Sequence, residues 1–173
     1  MGEITHDIAL GTKVFSRTED LQNLLDSIPD WISKVYIADD GEITQTKSTI
    51  YNGDYPFKLE LIDLEYDAGV GAGRNAIVDA VTEDYIFIVD PDHQMTPTMG
   101  LLYEQMKRCP EIGGLGAVIV EPENDRLYSQ AADFREVETE AGTKLIRETR
   151  GINNNKEIQA VYNAPVVKFD FIP

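Results

Sequence analysis

The chain has 173 residues, 42% of them hydrophobic and 27% charged, and its 31 acidic against 15 basic side chains leave a formal net charge of -16. That length fits one compact domain with a substantial core, while the negative field repels nucleic acid and anionic membrane surfaces. A phosphate-bearing ligand would be repelled too, so any such site needs a local cation, either a metal ion or a well-placed arginine.

The opening stretch Met1-Gly2-Glu3-Ile4-Thr5-His6-Asp7 has no basic leader, and His6 breaks the myristoylation pattern. Ile8 to Phe15 reads as a first strand. Ser16-Arg17-Thr18-Glu19 then matches a capping box, whose hydroxyl and carboxylate satisfy the orphan amides of a helix starting there. Leu21, Leu24, Leu25 and Ile28 form one apolar helical face until Pro29 stops it. Val35 to Ala38 is a second strand running into Asp39-Asp40-Gly41, and Phe57 to Leu64 a third, ending before Asp67-Ala68-Gly69. After Gly73, the residues Ile77, Ala80 and Val81 mark a helix. Tyr85 to Val89 is an unbroken apolar run, which predicts the central strand of the sheet, covered on both faces.

Met99, Leu102, Tyr103 and Met106 carry a core-facing helical stripe, and Leu115 to Val120 supplies another strand. The alternation of strand and helix implies a mainly parallel α/β sheet. Cys109 is the single cysteine, which rules out an intrachain disulfide and fits a reducing cytoplasm. Beyond Glu121 the pattern becomes β-rich, with a hairpin from Phe134 to Arg150, an exposed loop at Gly151-Ile152-Asn153-Asn154-Asn155 and a last strand from Val166 to Phe171. No stretch approaches the roughly 20 apolar residues of a spanning helix, so membrane association, at a cytoplasmic face, would come from regions not in this chain.

Ligands of an open α/β sheet sit outside the carboxyl ends of its strands. Ser16 and Arg17 follow the first strand, Asp39 and Asp40 the second, Asp67 to Asn75 the third, and Asp90-Pro91-Asp92-His93 the fourth. Residues at i and i+2 of an extended segment point to one side, so Asp90 and Asp92 can converge on a hard divalent cation that keeps positions for phosphate oxygens. Asp39-Asp40-Gly41 is either an ordinary turn or a pair of acceptors for a base N–H or ribose hydroxyl. Gly69-Val70-Gly71-Ala72-Gly73-Arg74-Asn75 places glycines ahead of a helix, where backbone approaches phosphate and Arg74 adds positive charge, or else simply permits tight packing. It is not the dinucleotide fingerprint, because its third glycine comes one position early and it follows the third strand.

Together these residues resemble family 2 glycosyltransferases of the GT-A fold, in order from about Ile8 to Glu121. Val14-Phe15-Ser16-Arg17 takes the place of a Thr-Tyr-Asn-Arg-like turn, and Ala38-Asp39-Asp40-Gly41 is similar to Val-Asp-Asp-Gly. Ser16 and Glu42 depart from the usual Asn and Ser. Ala68-Gly69 through Arg74-Asn75 resembles Gly-x-x-x-Ala-Arg-Asn, and Ile88 to Asp92 the Asp-x-Asp motif. The resemblance implies a Rossmann-type α/β/α sandwich: a single domain over 1–173, whose donor-binding half spans about 8–121 and whose acceptor-side half begins at about 122–173.

The resemblance further implies transfer of a sugar from a nucleotide diphosphate donor, a UDP- or GDP-sugar, to a glycan, lipid-linked or protein acceptor, with inversion. Phe15, Ser16, Arg17, Gly71, Gly73, Arg74 and Asn75 fall to the donor, an aspartate of the Asp39-Asp40 pair to the base, Asp90 to ribose and metal, and Asp92 to Mn²⁺ or Mg²⁺. His93 either joins the ligands or is a locally bonded helix-start residue. The family's usual sequel to Val161-Tyr162-Asn163-Ala164-Pro165-Val166-Val167 is a loop with a catalytic carboxylate; that base is expected beyond Pro173, and Asp170 does not replace it. Two other functions compete: a non-catalytic nucleotide-sugar-binding module, and a sugar-phosphate nucleotidyltransferase. The glycine-rich signature of the last should follow the first strand, whereas Gly11-Thr12-Lys13 lies inside it.

Overall fold

A computed structural model describes residues 8–109 and 115 and the strands between 119 and 170; residues 1–7, 110–114, 116–118, 122–125, 128–129, 140–141, 152–168 and 171–173 lie outside the description. By its internal contacts the chain divides into two units, Met1–Pro97 with Ile172–Pro173, and Thr98–Phe171.

The first unit is a parallel sheet of β1 (Ile8–Val14), β2 (Lys34–Asp39), β3 (Lys58–Asp63) and β4 (Tyr85–Ile88), in the order β3-β2-β1-β4. In register, Val14 lies beside Asp39 and Asp39 beside Asp63, while Gly11 lies beside Ile88. Strand ends that carry the candidate residues therefore share one edge of the sheet. Among the described residues β1 and β2 pair on both sides, and β4 pairs with β1. Burial among the described residues is greatest in β1 and β2, where Ile8, Leu10, Val35, Tyr36 and Ile37 are buried, whereas Ile88 of β4 is exposed.

Adjacent strand residues face opposite ways, and here the two faces carry different helices. Ala9, Tyr36 and Ala38 pack under Ile77 of α3 (Gly69–Ala80). Gly11 makes this approach possible, because a Cβ there would meet Ile77 Cγ2 at 2.5 Å. Helix α1 (Thr18–Asp26) buries Leu21, Leu24 and Leu25, and Ile28 is buried just past its end, as their spacing requires. Its start differs from the expected capping box: Arg17 is the N-cap, no side chain caps the helix, and the Ser16 carbonyl accepts from Thr18 N–H at 2.9 Å. Ser16 sits one residue too early for its hydroxyl to reach the helix amides.

Helix α2 (Gln45–Tyr51) has no counterpart in the sequence reading. Its inward residues are Ile50 and Lys47, so a charge occupies a position where periodicity demands an apolar residue. Thr44 caps it, accepting from Lys47 N–H at 3.2 Å.

A 3₁₀ turn (Pro97–Met99) leads into α4 (Gly100–Arg108) of the second unit. The expected stripe is its less exposed face: Met99 is buried and Leu102, Tyr103 and Met106 are half-buried, whereas Leu101, Glu104 and Lys107 are exposed. Cys109 ends the helix, its sulfur 3.2 Å from Gln105 Nε2. Strand β5 (Ile119–Glu121) pairs antiparallel with β6 (Arg126–Leu127) and parallel with β9 (Phe169–Asp170), while β7 (Gln130–Thr139) and β8 (Gly142–Gly151) form an antiparallel ladder. The loop expected at Gly151–Asn155, apart from Gly151, and the segment Val161–Val167 fall outside the described residues.

Candidate functional site

At the carboxyl edge of the first unit's sheet an open cleft of about 390 Å³ is lined by Lys13, Phe15, Ser16 and Arg17 from β1 and its exit, Val70 and Arg74 from α3, and Asp90, Pro91 and Asp92 after β4. The parallel strands aim their exits at it, and Gly11 seats α3 close enough for its first turns to reach the same space. Six of the residues picked from sequence thus come together here: Phe15, Ser16, Arg17, Arg74, Asp90 and Asp92.

Asp90 and Asp92 are each met by a guanidinium. Arg74 Nη2 lies 2.9 Å from Asp90 Oδ1, and Arg17 Nη1 contacts Asp92 Oδ2. All four side chains are partly exposed. His93 is tied locally: its N–H donates to the Asp90 carbonyl at 3.1 Å, and its Nδ1 accepts from Asp90 N–H at 3.4 Å. Its Nε2 is 4.0 Å from Asp92 Oδ1. Ligand atoms of Asp90, Asp92 and His93 all lie within 4.8 Å of one another. Oxygen ligands about 2.1 Å from a shared cation stand at most about 4.2 Å apart, so small side-chain rotations bring this set to coordination distance. Two carboxylates favour a hard cation such as Mg²⁺ or Mn²⁺.

Asp39 and Asp40 are fully buried behind the cleft, on opposite faces of the sheet. Asp39 faces α2: Oδ1 is 2.7 Å from Lys47 Nζ and accepts from Gly41 N–H at 2.9 Å, while Oδ2 accepts from Tyr51 O–H. The same ammonium donates to the Phe15 carbonyl at 2.6 Å, binding the exits of β1 and β2 together. Desolvation pushes the Tyr51 hydroxyl up, and Asp39 adds to it. Asp40 faces α3: Lys13 Nζ lies 2.6 Å from Oδ1, and Oδ2 accepts from Gly69 N–H at 2.8 Å. Burial would raise its carboxyl, but Lys13 and the Gly69 amide outweigh that and hold it below its ordinary value.

Asp40 therefore supplies the anion at the start of α3. The glycine-rich segment, expected ahead of the helix, is its first turn: Gly69 has φ +90, Gly71 is open to solvent, and Gly73 lies under the Lys13 stem. Asn75 is on the same helix and exposed. Sequence reading missed Lys13 and Lys47. A lone lysine in the apolar run Ile8 to Phe15 was a usable signal for the first; Lys47 carried none, because its partners are distant in sequence. Phe15 and Tyr66 are both exposed at the rim, with ring centroids 5.5 Å apart.

The sequence matches the family described as glycosyl transferase family 2 over residues 12–168. One solved structure to which the chain is similar is S. aureus TarS 1-349, at 17% identity and a TM-score of 0.47; the likeness covers 66% of this chain and 35% of that one, so the chain spans about a third of that structure's length. No curated protein matches.

Proposed function

Because the chain belongs to glycosyl transferase family 2, we propose that it binds a nucleotide diphosphate sugar, a UDP- or GDP-sugar, and serves its transfer with inversion to a glycan, lipid-linked or protein acceptor. The observation that carries this reading is the convergence of Asp90, Asp92, Arg17 and Arg74 on one cleft, in a chain whose net charge of -16 would otherwise repel a diphosphate. Phe15, at the cleft wall and beside Tyr66, offers an aromatic face to the base. Asp90 and Asp92, with His93 beside them, would hold Mn²⁺ or Mg²⁺. When bound, the cation supplies positive charge against the departing diphosphate. Arg17 and Arg74 add fixed charge from two sides, and Lys47 keeps the β1 exit in place through the Phe15 carbonyl. The reaction is assigned to the cytoplasm.

Calorimetric titration of UDP and GDP, each with Mn²⁺ or Mg²⁺, tests the reading. The expected result is metal-dependent binding of one nucleotide, weakened at least about tenfold by Asp92→Ala, which corresponds to 1.4 kcal/mol. Absence of binding by both nucleotides with both metals would overturn it.

A further inference from the structure

Resting on the donor-binding reading above, we propose that Arg17 and Arg74 are exchangeable counter-ions: each alternates between a cleft carboxylate and a phosphate, and the exchange makes divalent cation and nucleoside diphosphate bind cooperatively. Every carboxylate of the candidate cation site is engaged by its own arginine, Asp90 by Arg74 and Asp92 by Arg17. The arginines reach the cleft from separate elements, the β1 exit and α3, so either can swing without the other. Charges facing the cleft and those directly behind it cancel: Lys13, Arg17 and Arg74 against Asp40, Asp90 and Asp92.

A cation arriving alone therefore meets carboxylates that are already neutralised and must displace two guanidiniums. A diphosphate arriving alone meets guanidiniums that are already neutralised. When both arrive, the carboxylates turn to the cation and the guanidiniums to the phosphates, so each ligand gains the partner the other releases. Arginine suits this because its planar fork matches carboxylate and phosphate alike. The exchange is easy where it is proposed, since ion pairs at partly exposed sites are weak; the side chains of Arg17, Asp92, Arg74 and Asp90 are 57, 32, 47 and 50% exposed. The neighbouring Lys13–Asp40 and Lys47–Asp39 pairs, with aspartates at 0%, are locked. Coupling of this kind is reciprocal and typically 5–150-fold.

The test is a binding cycle on the full chain: Mn²⁺ titrated with and without saturating UDP or GDP, for the wild type, for R17A, for R74A and for R17Q/R74Q, the last retaining side-chain bulk. Thermal unfolding confirms that each variant is folded. In the wild type the nucleotide tightens Mn²⁺ by about tenfold or more. In R17Q/R74Q, Mn²⁺ alone binds about fivefold tighter than to the wild type, and the tightening by nucleotide shrinks by about fivefold. A general field effect of the arginines would raise Mn²⁺ affinity while leaving the nucleotide-induced factor unchanged, and that result overturns the exchange. So does Mn²⁺ affinity in R17Q/R74Q no better than in the wild type. Failure of both nucleotides to bind removes the donor reading instead; the Mn²⁺-only comparison then still decides whether the arginines compete for Asp90 and Asp92, with tightening upholding that competition and equal affinity overturning it.

Discussion

Asp39 and Asp40 end β2, Asp90 and Asp92 follow β4, and both sets are matched by basic side chains, yet one set is sealed and the other open. The Lys47–Asp39 side chains are 1% and 0% exposed, those of Arg74 and Asp90 47% and 50%. A buried pair is costly to break because the surviving charge has no solvent. An exposed pair contributes at most about 1 kcal/mol and is free to change partners. The first set therefore holds strand exits together, through Phe15 O and Gly69 N, and the second is available for ligand chemistry. The same motif type, an acidic pair after a strand, takes opposite roles according to depth alone.

The largest expected effect tests that contrast directly. Asp39→Ala strands the Lys47 ammonium and should cost about 3–5 kcal/mol in urea unfolding, whereas Asp92→Ala should cost no more than about 1 kcal/mol. Equal losses would break the distinction between the sets. Next comes the seat of α3. Gly11→Ala places a Cβ 2.5 Å from Ile77 Cγ2, and overpacking of this kind costs about 1–3 kcal/mol; urea unfolding reads it, and if Arg74 is displaced with the helix, Mn²⁺ alone should bind more tightly, because Asp90 loses the guanidinium that competes for it.

A smaller effect follows from pH. Asp40 is held below its ordinary value of 3.8, so its stabilisation is fully present above that value and is lost as pH falls through the lower folded value. Asp40→Asn should flatten the acid limb of a melting-temperature profile below about pH 4 while lowering its plateau; an unchanged acid limb would place the acid sensitivity elsewhere. The smallest effect is at Ser16. A capping serine costs about 1 kcal/mol when replaced by alanine, but with Arg17 as the N-cap, Ser16→Ala should stay within about 0.5 kcal/mol by urea unfolding.

The sheet was legible in the sequence because runs such as Ile8 to Val14 and Tyr85 to Ile88 carry their own apolar signal, and so were the exits that carry Arg17, Arg74, Asp90 and Asp92. Strand order was not, since a run of four apolar residues does not name the strand it pairs with. Helix α2 was hidden by Lys47, whose burial makes sense only once Asp39 is beside it. Likewise, nothing local distinguishes Asp40 as a helix anchor from Asp90 as an open carboxylate. That difference is tertiary.

Lys13 and Gly73 occupy a single volume, because a Cβ on Gly73 would lie 2.3 Å from Lys13 Cγ. The motif that residues 69–75 resemble has alanine where this chain has Gly73. An alanine at 73 is therefore expected to push the Lys13 stem aside, and with it the ammonium that balances Asp40.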